Sequence, residues 1–231
     1  MVGSASELIV ALDVSTRDEV LRLRDALAPV VDFFKVGKEL FTAEGPAILG
    51  ALAGSRIFLD LKFHDIPATV AGGVASSAAH GVDILDVHAS GGRAMMAAAV
   101  AARKATTPLI FGVTVLTHLG DDDLRELGFL DGSLSQVVRL ARMADESGLD
   151  GVVASAFEVE AIREATEDRL QILVPGVRPV WAQAAHDQKR LATPGEAARR
   201  GAHYVVVGRA ITRDVDPKDA ARRIVDEIAS A

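Results

Sequence analysis

The stretch Ile57-Phe58-Leu59-Asp60-Leu61-Lys62-Phe63-His64-Asp65-Ile66-Pro67 carries the clearest structural signal in the chain. Successive side chains of a β-strand point to opposite faces. Ile57, Leu59 and Leu61 make a uniformly aliphatic face, suited to a covering layer of helices. Phe58, Asp60 and Lys62 then face the other way. The polar link 64–67 leads into an Ala/Val-rich stretch, 69–79, of helical character. The same unit, a short β-rich run followed by a longer helical one, recurs along the chain. Strands are expected at 8–13, 32–37, 56–62, 82–88, 109–115, 151–155, 171–174 and 203–207. Helical stretches between them include 17–27, 69–79, 92–103 and 135–147. Alternating β and α elements predict a parallel sheet. Eight units in 231 residues, with no linker or break in composition, predict one α/β domain, a (β/α)₈ TIM barrel over residues 1–231. An open doubly wound sheet is the alternative. On the barrel reading, the charged face of 56–62 points at the barrel axis.

Bulk properties narrow the classes of function. A formal charge of −7, from 25 Lys and Arg against 32 Asp and Glu, lacks the basic footprint of a nucleic-acid binder. A small anionic ligand needs only local groups. With no cysteine, disulfide scaffolds, thiolate metal sites and cysteine nucleophiles are excluded. No basic segment precedes an apolar one near the N-terminus, and no apolar run reaches the length of a membrane span. A soluble cytoplasmic protein is the expectation.

Enzymes on this fold carry their chemistry at the C-terminal ends of the strands. Charge collects there: Asp13 closes the first strand, Lys35 sits near the end of the second, Asp60 and Lys62 end the third, and Asp65 follows. His88 closes the fourth. A carboxylate and an ammonium on one inward face are costly unless paired, and Lys35 and Asp65 are placed to complete a Lys–Asp–Lys–Asp network. A structural ion pair is the plainer reading of Asp60 and Lys62, and a helix-capping role that of Asp13. Four such groups at one end of three consecutive strands favour a site. Lys62 itself has two chemical readings, Schiff-base nucleophile or proton donor. Flanking carboxylates hold an amine protonated, which favours the donor.

The loops after strands seven and eight of such barrels often bind phosphate. Here they read Pro175-Gly176-Val177-Arg178-Pro179 and Gly208-Arg209. Glycine admits an anion close to backbone N–H groups, arginine donates paired hydrogen bonds, and a helix start adds its dipole. The long loop 175–193 also holds Gln188, either a lid residue closing over a ligand or a solvated side chain. Metal binding is not expected: the six histidines show no paired ligand spacing, and Asp121-Asp122-Asp123 suits an acidic helix start. GxGxxG and GxSxG are absent.

The decapeptide Phe58-Leu59-Asp60-Leu61-Lys62-Phe63-His64-Asp65-Ile66-Pro67 resembles the signature of the orotidine 5′-phosphate decarboxylase family. Its core, DxKxxD, is shared with related phosphosugar decarboxylases and synthases, while FHDIP resembles the orotidylate branch. Ala11-Leu12-Asp13, Phe34-Lys35-Val36-Gly37, Val115-Leu116-Thr117, Pro175 to Pro179, Asp187-Gln188 and Val207 to Thr212 follow in the family's order. The resemblance implies a cofactor-free and metal-free homodimer that decarboxylates orotidine 5′-monophosphate to uridine 5′-monophosphate, the last step of pyrimidine nucleotide synthesis. It implies Lys62 as proton donor and Asp60 beside the departing carboxylate. Asp13 and Lys35 would bind ribose hydroxyls, and Thr117 would lie at the pyrimidine. Arg178, Gln188, Gly208 and Arg209 would hold the phosphate. Asp65, Ile66 and Thr69 would reach into the partner subunit's site. Ala68, His118 and Val180-Trp181-Ala182 depart from the family's usual asparagine, serine and glycine-containing stretch. A sister DxKxxD enzyme and a catalytically silent nucleotide-binding barrel are the rival readings.

Overall fold

A computed structural model describes residues 6–103, 105–182 and 191–231. Eight parallel strands close on themselves in sequence order: β1 (Glu7–Ala11), β2 (Phe33–Gly37), β3 (Arg56–Phe63), β4 (Ile84–His88), β5 (Leu109–Val113), β6 (Gly151–Val153), β7 (Gln171–Val174) and β8 (Tyr204–Val207). The β8–β1 ladder, from Glu7 opposite Tyr204 to Val10 opposite Val207, makes the closure and rules out the open sheet.

Helices alternate with the strands as the sequence period predicts. Arg17–Leu27 matches its expected range, and its N-cap Thr16 accepts a hydrogen bond from the Glu19 N–H. The helix expected at 69–79 starts earlier, as Pro67–Ala79, because a proline suits the first turn, where its missing N–H has no helical partner. The run 92–103 is the helix Arg93–Ala102, and 135–147 is Ser133–Glu146. Six strands are shorter than expected: β1, β5 and β6 end two residues early, and β2, β4 and β8 begin one or two residues late. The acidic triplet opens the helix Asp121–Glu126, and Asp123 accepts the Gly120 N–H at 2.7 Å.

Two buried layers result. Ile57 and Leu59 belong to the large core between strands and helices, with Leu61 and Phe63 packed against it. Phe58 belongs to the smaller core inside the barrel, with Ile9, Phe33, Ile84, Phe111 and Leu173. The alternation read from β3 is therefore the one that the barrel uses. Fully burying an apolar side chain of this size contributes roughly 1.5–3 kcal/mol, so reversing the face of β3 would be prohibitive. The N-terminal end of the barrel is closed by Arg56, whose two terminal nitrogens each lie 3.0 Å from a carboxylate oxygen of Glu7, with Asp32 at 3.2 Å. The Arg56 guanidinium also lies 4.5 Å from the centre of the Phe33 ring. Among the described residues, no helix is long and apolar enough to cross a membrane.

Candidate active site

At the C-terminal mouth, the first three strands deliver an alternating chain of charge. Asp13 lies just past β1, and its Oδ1 is 3.0 Å from the Lys35 ammonium. The same ammonium is 3.2 Å from Asp60 Oδ2. The other oxygen of Asp60 bonds to the Lys62 ammonium. Gly37 makes room for this arrangement: a Cβ there would sit 2.8 Å from the Lys35 nitrogen. The side chains of Lys35, Asp60 and Lys62 are only 11, 14 and 23% exposed, so the pairs are well shielded from water.

The network does not continue to Asp65 within the chain. Asp65 is exposed, and its carboxylate accepts the N–H of its own neighbour Ile66 at 2.6 Å. The fourth place is taken by Asp86 of β4, a residue that the sequence reading passed over. Asp86 is fully buried; its Oδ1 accepts the Lys62 backbone N–H at 2.8 Å, and its Oδ2 lies 3.5 Å from the Lys62 ammonium. The signal was present in Ile84-Leu85-Asp86-Val87-His88. Two residues before the inward His88, an aspartate interrupts an otherwise apolar strand, on the inward face.

Lys62 occupies an unusual backbone position. Its φ is +51°, in the left-handed region that non-glycine residues rarely adopt. The β3–β4 register jumps at this point. Leu59 pairs with Leu85 and Phe63 with Val87, so β3 carries two extra residues against its neighbour. Bulges of this kind re-aim side chains beside active sites.

The electrostatics follow from burial and pairing. Burial pushes the Asp60 carboxyl up, but the charges of Lys35 and Lys62 and the Lys62 hydrogen bond outweigh it and hold Asp60 below the usual carboxylate range. Burial alone would lower Lys62; Asp86 and Asp60 outweigh that and hold the ammonium above the ordinary lysine range. Lys62 is thus charged, the state required of a proton donor and unsuited to a Schiff-base nucleophile. Asp86 is pushed up to about 8, first by burial and then by the Asp60 charge. His88 lies next to His64, ring centres 5.1 Å apart, and is lowered to about 4, mainly by burial, then by His64 and Lys62.

A cavity of about 380 Å³ is lined by Asp13, Lys35 and Asp60 of this cluster and by Arg178, Gly208 and Arg209 of the loops after β7 and β8. Gly208 packs tightly, since a Cβ would meet Asp13 Oδ2 at 3.2 Å. A second cavity of about 250 Å³ shares the wall Pro175, Gly176, Val177 and Leu191, and Thr117 lines it. A larger groove of about 930 Å³ lies elsewhere, on the helix Ser133–Glu146, and holds none of the strand-end charges. Chemistry, not size, identifies the site. Ile66 caps the helix Pro67–Ala79, and Thr69 lies in its first turn; both are exposed and away from the cluster within the chain. Gln188 lies outside the described residues. Of the family departures, Trp181 has a visible role: Arg223 stacks over its ring at 4.1 Å, tying the start of the long loop to the last helix, Pro217–Ala229.

Comparison with known proteins agrees with this geometry. Residues 6–224 match the model of the orotidine 5′-phosphate decarboxylase / HUMPS family. The orotidine 5′-phosphate decarboxylase of Alkalilimnicola ehrlichii is 48% identical over 231 residues, covering 98% of each chain. That of Moorella thermoacetica is 49% identical, covering 96% of this chain and 92% of its own. The crystal structure of orotidine 5′-phosphate decarboxylase from Lactobacillus acidophilus superposes with a TM-score of 0.83 at 36% identity, over 97% of this chain and 99% of that one. The enzyme from Methanocaldococcus jannaschii, complexed with the inhibitor BMP, gives 0.79 at 25% identity, over 97% and 99%. The chain therefore belongs to the orotidine 5′-phosphate decarboxylase / HUMPS family.

Proposed function

We propose that the chain decarboxylates orotidine 5′-monophosphate to uridine 5′-monophosphate and CO₂ without a cofactor, with Lys62 as the proton donor. The observation that carries this reading is the chain Asp13–Lys35–Asp60–Lys62, shielded from water at Lys35, Asp60 and Lys62, beside a cavity lined by Asp13, Lys35 and Asp60 together with Arg178, Gly208 and Arg209. The bond between the ring carbon and the carboxylate breaks, CO₂ departs, and the electron pair stays on the carbon. The Lys62 ammonium faces that developing charge and gives it a proton; the amine regains one from water. Fixed charges already oriented toward the carbanion need no reorganisation during the reaction. Asp13 and Lys35 suit ribose hydroxyls, and Thr117 the pyrimidine. Arg178, Gly208 and Arg209, with Gln188, suit the phosphate, whose binding supplies energy for positioning the ring.

The site is completed, on this reading, in a cytoplasmic homodimer. Asp65 turns away from its own Lys62, and Ile66 beside it is 66% exposed, a large apolar side chain at the edge of the mouth. Asp65, Ile66 and Thr69 then serve the partner subunit's site.

A spectrophotometric assay with orotidine 5′-monophosphate and no added metal tests the activity. Turnover is expected, and well-folded protein that binds uridine 5′-monophosphate without turning over orotidine 5′-monophosphate would favour the silent barrel instead. For the shared site, mixing Asp65→Ala with Lys62→Ala protein should restore part of the activity, because one mixed site regains both residues. No recovery after subunit exchange would contradict the arrangement.

A further inference from the structure

We propose that Asp86 is a positioning residue for the reaction: it holds Lys62 in its left-handed backbone conformation and steers its ammonium toward the substrate. This rests on the decarboxylation reading above. Where β3 bulges against β4, the Lys62 N–H loses the ladder partner that regular pairing would supply. A buried N–H without an acceptor is strongly disfavoured. Asp86 Oδ1 supplies the acceptor at 2.8 Å.

The conformation that this bond secures is one that Lys62 would not keep unaided. A lysine at φ +51° is strained relative to the β region and persists only when its surroundings fix it. In a regular strand, the side chain of residue 62 would continue the inward column above Phe58 and Asp60. The bulge re-aims it, and Asp86 Oδ2, 3.5 Å from the ammonium, limits where the head group can swing. The groups facing that ammonium are Asp60 from its own strand and Asp86 and His88 from β4, with Lys35 on the far side of Asp60. Asp86 is the only one of these that contacts both the backbone and the head group of Lys62. Its complete burial, opposite Phe111 in the β4–β5 register, leaves it no role with solvent. Burial and the Asp60 charge push its carboxyl up to about 8, against the pull of the Lys62 ammonium and backbone N–H. The acceptor at Oδ1, 2.8 Å from the Lys62 N–H, is the contact on which the backbone position depends.

The test separates positioning from binding and from charge. Asp86→Val, similar in shape but without an acceptor, should lower kcat by about a hundredfold, the scale of a reacting group misplaced by an ångström. Its affinity for uridine 5′-monophosphate and its KM should change little. Asp86→Asn, which restores an oxygen acceptor without a charge, should recover most of kcat at neutral pH. A wild-type kcat in the valine variant would overturn the proposal, and so would an asparagine variant no better than valine. Should the valine variant not fold, hydrogen exchange in the wild-type protein decides. The Lys62 amide should be strongly protected, and exchange at the rate of an open loop would overturn the proposal. That exchange measurement needs no substrate, so it stands apart from any failure of the decarboxylation assay.

Discussion

The two ends of the barrel carry charge from the same three strands, yet they are built differently. At the N-terminal end, Glu7, Asp32 and Arg56 form a cluster whose side chains are 40 to 63% exposed. At the C-terminal mouth, Lys35, Asp60, Lys62 and, added from β4, Asp86 are 23% exposed or less, and Asp86 not at all; only the outer member, Asp13, is as exposed as the lower cluster, at 46%. The lower cluster uses arginine, a rigid fork that satisfies one carboxylate through two bonds and stacks on Phe33. The upper one uses lysines, point charges that can exchange a proton. Exposed pairs contribute about 0–1 kcal/mol each, whereas removing one partner of a buried pair costs about 3–5 kcal/mol. The lower network closes the barrel floor. The upper one keeps charges in place where water is scarce, and that is the condition for electrostatic catalysis.

Removing one cation from each end should break the symmetry most sharply. Lys35→Met should destabilise the fold by about 3 kcal/mol, leave Asp60 with one cation fewer, and reduce turnover strongly. Arg56→Met should cost about 1 kcal/mol and leave turnover intact. Urea denaturation and the decarboxylation assay, run on both variants, check this.

The next expected effect is a pH dependence to which two groups of the mouth, His88 and Asp86, contribute in opposite directions. His88, at about 4 against an ordinary 6.5, contributes stability that is present above pH 6.5 and lost as pH falls toward 4. Asp86, at about 8 against 3.8, works the other way: its contribution is present at low pH and lost as pH rises toward 8. The two oppose each other between pH 4 and 6.5, and above 6.5 only the Asp86 decline remains. Urea midpoints should therefore fall between pH 6.5 and 8 in the wild type and flatten there in Asp86→Asn. His88→Gln should reduce the acid-side loss, leaving the part that His203 contributes, and should not change the alkaline side.

Glycine substitutions give the smallest contrast. Gly37→Ala puts a Cβ 2.8 Å from the Lys35 nitrogen, the mobile end of a side chain that can shift. It should raise KM a little and leave stability nearly unchanged. Gly151→Ala, at the start of β6, meets the Gln171 carbonyl and the Phe111 ring at 2.5 Å, and backbone cannot give way so easily. It should cost about 1–3 kcal/mol with KM unchanged. Thermal melts beside steady-state kinetics separate the two.

Much of this was legible in the sequence. The inward face of β3, the eight βα units and the glycine–arginine loops after β7 and β8 that line one cavity follow from alternation, period and turn chemistry, all local properties. Asp13, Lys35, Asp60 and Lys62 meet as the strand ends predicted. Three features were not legible. The bulge at Lys62 has no glycine or asparagine to mark it, so its left-handed backbone is set by tertiary context. Asp86 lies in an apolar run whose strand character hid one polar inward residue. The in-chain link from Lys62 to Asp65 failed because the carboxylate folds back on the Ile66 N–H at the start of a helix. The lower cluster joins Glu7, Asp32 and Arg56 from three separate strand starts, which only the closed barrel brings together.

The central claim is that the Lys62 ammonium, held by the carboxylates around it, supplies the proton. Lys62→Ala tests it most directly. This variant should fold and still bind uridine 5′-monophosphate but lose turnover of orotidine 5′-monophosphate by orders of magnitude. Turnover near the wild-type rate in that variant would contradict it.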